Sequence, residues 1–151
     1  RSTLFPYTTL FRSWLTGGKT IGEELLTPTR LYPRVCLPLI QAFDLHGMVH
    51  ITGGGFYDNI PRALPNGMGA EIDADAWPMP PIFRLLAAWG GVAWPEMYRT
   101  FNMGIGMVLI AAAEEAAKIR SALEKAGEVV YPIGRVRPGT HEVTIKGGVF
   151  S

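Results

Sequence analysis

The stretch His50-Ile51-Thr52-Gly53-Gly54-Gly55-Phe56-Tyr57-Asp58-Asn59-Ile60-Pro61-Arg62 decides how this chain is read. Met48-Val49-His50-Ile51 leads into it as an apolar strand, a threonine and three glycines break that strand, and residues 56–64 then predict a helix carrying Asn59 and Arg62. Consecutive glycines take positive φ and bring the backbone close to a ligand with no side chain in the way. At a helix start their N–H groups face outward at the positive end of the dipole, which suits phosphate or another anion. A plain flexible turn is the competing reading. The spacing fits neither the phosphate loop with Lys and Ser/Thr after its second glycine nor the dinucleotide pattern G-x-G-x-x-G.

Outward from this turn the pattern alternates helix and strand. Upstream, residues 25–43 predict a helix with Thr27-Pro28 in its opening turn. Pro33 and Pro38 each remove an N–H and crowd the preceding turn, so a kink or two short helices is expected. Strands are expected at 47–51 and 69–72, and at 102–111, whose near-continuous apolar character suits burial on both faces. A helix is expected from Pro80-Pro81 to Trp89, with Asp75 able to cap it, Ile82, Phe83, Leu85, Leu86 and Trp89 on one face, and Gly90-Gly91 closing it. Residues 96–99 predict a helical turn. Residues 114–126 form the clearest helix, with Ala116, Ile119, Leu123 and Ala126 as its apolar stripe and Gly127 as its stop. Strands at 129–136 and 142–145, turning through Arg137-Pro138-Gly139, complete an α/β (α+β) fold: a layered mixed sheet flanked by helices.

At 151 residues the chain is long enough for one domain with a core. Its net charge of +1 and lack of a basic patch or acidic tail give no argument for nucleic acid or a membrane surface. The single cysteine, Cys36, rules out an internal disulfide framework and fits a reducing, cytoplasmic setting. Cys36 lies among apolar residues and reads as a buried, inert thiol. No apolar run approaches the ~20 residues of a membrane span. His46, His50 and His141 are scattered without metal-ligand spacing, so no metal site is expected.

Residues 1–13, including Thr3-Leu4-Phe5-Pro6-Tyr7-Thr8-Thr9-Leu10-Phe11-Arg12-Ser13, look like the in-frame translation of a sequencing adapter and are expected to be disordered. They lack the basic start, apolar core and small-residue cleavage site of a targeting peptide. Residues 14–24 are expected as loop, and 25–151 as a partial domain incomplete at its N-terminus.

The wording H-I-T-G-G-G-F-x-x-N-I-P-R resembles the C-terminal domain of the phosphoribosylformylglycinamidine cyclo-ligases, the aminoimidazole ribonucleotide synthetases of purine biosynthesis. Three further blocks agree in order: Leu26-Thr27-Pro28-Thr29-Arg30-Leu31-Tyr32, Trp77-Pro78-Met79-Pro80-Pro81-Ile82-Phe83, and the run from Glu96-Met97-Tyr98-Arg99-Thr100-Phe101-Asn102 to Met103-Gly104-Ile105-Gly106-Met107. The resemblance covers about residues 22–145. It implies an ATP-dependent ring closure of formylglycinamidine ribonucleotide, a homodimer at full length, and ATP and magnesium bound mainly by an N-terminal ATP-binding domain absent from this sequence. The family's Ser-Gly-x-His-Ser-Asn-Gly segment is absent too, so no catalytic residue or metal ligand is assigned, and this chain is expected to contribute substrate binding. A selenophosphate synthetase-like relative and a stand-alone ligand-binding module are the alternatives.

The resemblance places Thr52, Gly53, Gly54 and Gly55 at the cleft, on the substrate's ribose phosphate. Asn59 is placed to bond either the substrate or the turn. Arg62 is a phosphate partner or a surface salt-bridge residue. His50, inside an apolar strand, is expected as a hydrogen-bonded core residue that could line the cleft. Arg99 and Asn102 are further cleft-lining candidates. Gly104 and Gly106 are expected to allow close packing against a neighbouring backbone, and the Trp and Met residues at helical spacing to be core.

Overall fold

The structure, a computed structural model, describes residues 19–148; the expectations for residues 1–13 and 14–18 lie outside it. Among the described residues, two sheets and their helices share one principal core.

The strand β1 (Leu45–His50) pairs antiparallel with β3 (Met107–Ala111), and β2 (Met68–Asp73) lies between β4 (Gly134–Pro138) and β5 (Val143–Lys146). The β2–β4 pair is antiparallel and the β2–β5 pair parallel, so the second sheet is mixed, as expected. Alternation explains how β2 sits. Ala70 and Ile72 are buried, while Glu71 projects outward and meets Arg135 at 2.9 Å and Lys146 at 2.6 Å. That bond from Lys146, with Arg135 beside it, holds the Glu71 carboxyl below its ordinary value.

The β1–β3 sheet separates two apolar clusters. Val49, Val108 and Ile110 join the principal core, and Leu45, Leu109 and Ala111 join the smaller one. Two helices build that smaller cluster: α2 (Pro33–Ala42) supplies Leu39, and α6 (Ala116–Lys125) supplies Ile119 and Leu123. In the principal core Phe56 stacks on Trp77 with ring centroids 5.7 Å apart and tilts against Tyr98 at 5.6 Å. Phe56, Met97, Tyr98 and Met103 are all fully enclosed. Each such side chain contributes roughly 1.5–3 kcal/mol of burial.

Several sequence expectations are corrected. Of the loop expected at 14–24, residues 21–24 instead belong to α1 (Ile21–Leu25), whose capping box is complete: Glu23 N–H donates to Thr20 Oγ1, and Thr20 N–H donates to Glu23 Oε2 at 2.7 Å. That T-x-x-E signature was readable. The helix expected over 25–43 begins only at Pro33, because Pro33 rather than Pro28 takes the opening turn; Pro38 stays inside it. Helix α3 (Gly55–Asn59) tightens into a 3-10 segment (Ile60–Ala63) with Pro61 in its first turn. Helix α4 (Pro81–Gly90) ends on Gly91 at φ 59. Asp75 does not cap it; the Asp75 amide bonds Asp73 Oδ1 instead. On α4, Trp89 is 54 % exposed and not core, and Met48 is likewise exposed, whereas Trp77, Met97 and Met103 are buried.

The third strand starts at Met107 instead of 102, and it is half-buried throughout because its sheet has two strands among the described residues. Residues 101–106 form a turn after α5 (Trp94–Thr100), with Met103 at φ 52 and Gly104 at φ 98. Strand β4 also starts late and carries Arg137 and Pro138 within it, so the reversal into β5 follows them, with His141 at φ 59. Cys36 is buried as expected, and burial pushes its thiol up. No described helix is long and apolar enough to cross a membrane.

Candidate functional site

The glycine turn joins β1 to α3 and is held from three directions. Gly54, at φ 96, is the N-cap of α3, and Gly55 follows at φ 54. Both values lie in the left-handed region that only glycine enters without cost. A Cβ on Gly55 would overlap the carbonyl oxygen of Tyr98, so the turn lies directly against the last turn of α5. On the other side, Ile51 N–H donates to the Gly106 carbonyl at 2.9 Å. Two sequence blocks some fifty residues apart thus meet at one place.

Asn59 binds the turn from beneath. Its side-chain N–H₂ group faces the carbonyls of Gly55 at 2.8 Å, Gly53 at 3.2 Å and Thr52 at 3.3 Å. Asn59 is 3 % exposed, the one buried polar side chain among the described residues. Its role is therefore to shape the turn. With the Thr52 and Gly53 carbonyls drawn toward Asn59, the amides of Gly53 and Gly54 donate to no protein acceptor among the described residues. Thr52 and Gly53 are exposed, and nothing lies within 4 Å of where a Gly53 Cβ would sit.

Beside the turn runs an open groove of about 220 Å³ lined by Met48, Val49, His50, Asn59, Arg62 and Ala63. The structure corrects the expectation for His50. It is exposed, not core, because Val49 takes the inward side of β1 and its neighbours must face out. Its ring meets Tyr32 edge-on, with centroids 5.5 Å apart. Arg62 lies on the 3-10 segment with its side chain exposed and takes part in no ion pair among the described residues.

Arg99 is committed elsewhere. Its Nη1 lies 3.0 Å from Asp58 Oδ1, its Nε 3.9 Å from Glu96, and its guanidinium 5.1 Å over the Tyr57 ring. Burial raises the Tyr57 phenol despite that nearby charge. Asn102 does not join the groove. Its Oδ1 accepts the Gly104 amide at 3.0 Å, which helps hold Met103 in the left-handed region, while Trp77 Nε1 donates to the Met103 carbonyl at 2.9 Å. Gly104 and Gly106 do serve close packing, but against side chains: a Cβ would meet the Pro80 ring at one and the Tyr32 phenol at the other. Sequence reading missed Tyr32 and Asp58 as neighbours of the site. Both lie inside the quoted blocks, but only folding shows what they touch.

These elements can bind an anion through backbone amides and a cation, and can present an imidazole beside them. Among the described residues no group of three or more His, Cys, Asp or Glu side chains is arranged to hold a metal ion.

The family described as "AIR synthase related protein, C-terminal domain" matches residues 5–146. Among similar proteins, the phosphoribosylformylglycinamidine cyclo-ligase of Brevibacillus brevis is 47% identical over 130 residues, covering 86% of this chain and 38% of that protein. That of Shouchella clausii is 49% identical over 141 residues, covering 93% and 40%. That of Geobacillus sp. is 50% identical over 131 residues, covering 87% and 38%. The chain therefore spans about two fifths of the length of these curated relatives. Because the family match takes in every helix and strand described above, from α1 to the end of β5, the chain belongs to the AIR synthase related protein family through its C-terminal domain.

Proposed function

We propose that this chain is the substrate-holding part of a phosphoribosylformylglycinamidine cyclo-ligase. In that reaction ATP phosphorylates the formyl oxygen of formylglycinamidine ribonucleotide. The amidine nitrogen then displaces phosphate and closes the imidazole of aminoimidazole ribonucleotide, leaving ADP and phosphate. The observation that carries the reading is Arg62: an exposed guanidinium with no carboxylate partner among the described residues, in one groove with His50 and Asn59 and next to a turn whose Gly53 and Gly54 amides donate to no acceptor among those residues. A phosphate monoester supplies what those donors lack. Hydrogen bonds to a charged oxygen are worth about 1.5–3 kcal/mol each. Thr52, Gly53 and Gly54 hold the ribose phosphate in this reading and Arg62 neutralises it, while Asn59 and Gly55, whose amide donates to the Thr52 carbonyl at 2.9 Å, keep the turn in shape.

The described residues do not fit a magnesium site, so no step here is assigned to it. ATP and magnesium belong in this reading mainly with the larger share of the relatives' length that this chain does not cover, the full-length protein is a homodimer, and its setting is cytoplasmic.

Calorimetry of the purified chain with formylglycinamidine ribonucleotide tests the assignment. Binding that weakens in Arg62→Ala and Gly53→Ala, with no turnover when ATP and magnesium are added, is the expected result. Turnover by the chain alone would show that the chemistry is misplaced, and an absence of binding would remove the site.

A further inference from the structure

The groove contains one arrangement that substrate binding by the glycine turn does not explain. Tyr32 stands at the start of α2, more than seventy residues before Gly106, yet its phenol occupies the space a side chain at 106 would need. Gly106 is itself fixed, because its carbonyl accepts Ile51 N–H at 2.9 Å, one residue beyond His50. His50 pairs with Met107 at the end of the β1–β3 ladder. Tyr32 therefore crosses the end of that ladder, and its ring meets the His50 imidazole at 5.5 Å with the planes 66° apart. Edge-on contact of this kind favours one relative orientation of two aromatic rings. His50 is otherwise exposed on the outer side of β1 and would sample several rotamers there.

We propose that Tyr32 is a positioning residue for the groove. Seated over Gly106, its ring fixes the His50 imidazole on the groove wall that Arg62 shares, so that imidazole and guanidinium act together on one phosphate monoester. The inference rests on the reading of this groove as the anion site. It goes further by giving the L-T-P-T-R-L-Y block a role in binding, since Tyr32 acts on the ligand only through His50. Burial raises the Tyr32 phenol, so the ring stays neutral near pH 7 and works by shape. The glycine at 106 suits the phenol, since a Cβ there would meet the Tyr32 hydroxyl and make the ring shift.

The test uses the 151-residue chain, with inorganic phosphate and ribose 5-phosphate as probes. The imidazole resonances of His50, assigned by their loss in His50→Gln, are compared in Tyr32→Phe and Tyr32→Leu, with circular dichroism as the folding control. Tyr32→Phe should leave them in place and Tyr32→Leu should move them toward random-coil positions. Ribose 5-phosphate affinity should fall about threefold to tenfold in His50→Gln, and by a similar factor in Tyr32→Leu. The double variant should be no weaker than His50→Gln alone, which a purely structural role for Tyr32 would not produce. Losses that add in the double variant, or unmoved His50 resonances in folded Tyr32→Leu, overturn the positioning role while leaving the anion site standing. Failure of the unsubstituted chain to bind either probe overturns the groove reading and this inference with it.

Discussion

Gly55 and Tyr98 touch backbone to backbone: the α-carbon of the third glycine lies so near the Tyr98 carbonyl that a methyl group would occupy the oxygen's place. This contact joins α3 to α5 and fixes where the glycine turn lies. It also gives the three glycines different roles. Gly55 serves packing, Gly54 serves conformation at φ 96, and Gly53 borders open space.

Gly55→Ala is therefore expected to be the most damaging of the three alanine variants. It combines a left-handed φ with a clash against backbone that cannot rotate away. Strain and overpacking together cost about 3 kcal/mol or more. Urea unfolding measures it. A Gly55→Ala midpoint equal to that of Gly53→Ala would refute the packing role.

Asn59→Ala removes the donor shared by three carbonyls of the turn, of which the bond to Gly55 is buried and those to Thr52 and Gly53 are partly so. A cost of about 1–3 kcal/mol is expected. Asn59→Asp should be worse, because it replaces donors with a carboxylate aimed at carbonyl oxygens. Equal unfolding midpoints for Asn59→Asp and the parent chain would show that the bonds to Thr52, Gly53 and Gly55 do not form in solution.

Tyr98 gives the chain an alkaline limit. Burial, with Asp75 next in effect, pushes its phenol up to about 12 from an ordinary 10. Between those values the unfolded chain loses the proton and the folded chain keeps it. The stabilisation is thus complete below pH 10 and is lost as pH rises through about 12. Stability followed across that window should fall, and the fall should be shallower in Tyr98→Phe. An identical slope in both proteins would assign the alkaline loss to other groups.

Local signals carry much of this fold and little of the site. The stripe containing Ile119 and Leu123 announces α6, and Gly91 and Gly127 stop their helices as their positive φ values require. Strand ends are less legible. The apolar run through Asn102 and Met103 has the character of a strand, yet Asn102, Trp77 and Pro80 hold it as a turn, and two of those three partners come from over twenty residues away. His50 has apolar neighbours like a core residue, but which side of β1 faces inward is set by pairing with β3. The glycine turn is visible from composition. Asn59 as its clasp, Tyr32 over Gly106 and Asp58 on Arg99 depend on tertiary contacts that no spacing rule encodes.

Arg62 and Arg99 flank the same turn, and they are expected to respond in opposite ways. Arg99 is satisfied by Asp58 at 3.0 Å and by the Tyr57 face, and both members of that ion pair are about half exposed. Such pairs contribute roughly 0–1 kcal/mol, so Arg99→Ala should lower stability slightly. It should also leave ligand affinity nearly unchanged, because the guanidinium is already occupied. Arg62 has no such partner among the described residues, so Arg62→Ala should alter stability by less than about 0.5 kcal/mol, as for an ordinary surface change. Its affinity for formylglycinamidine ribonucleotide should nevertheless drop about tenfold, the equivalent of one charge-assisted bond. Arg62→Lys should restore part of that loss, since an ammonium keeps the charge but not the paired donors of a guanidinium. Calorimetry and urea unfolding on the same three variants separate the effects. If Arg99→Ala abolished binding while Arg62→Ala left it intact, the phosphate would have to sit on the α5 side of the turn, with Asp58 displaced from Arg99 by the ligand.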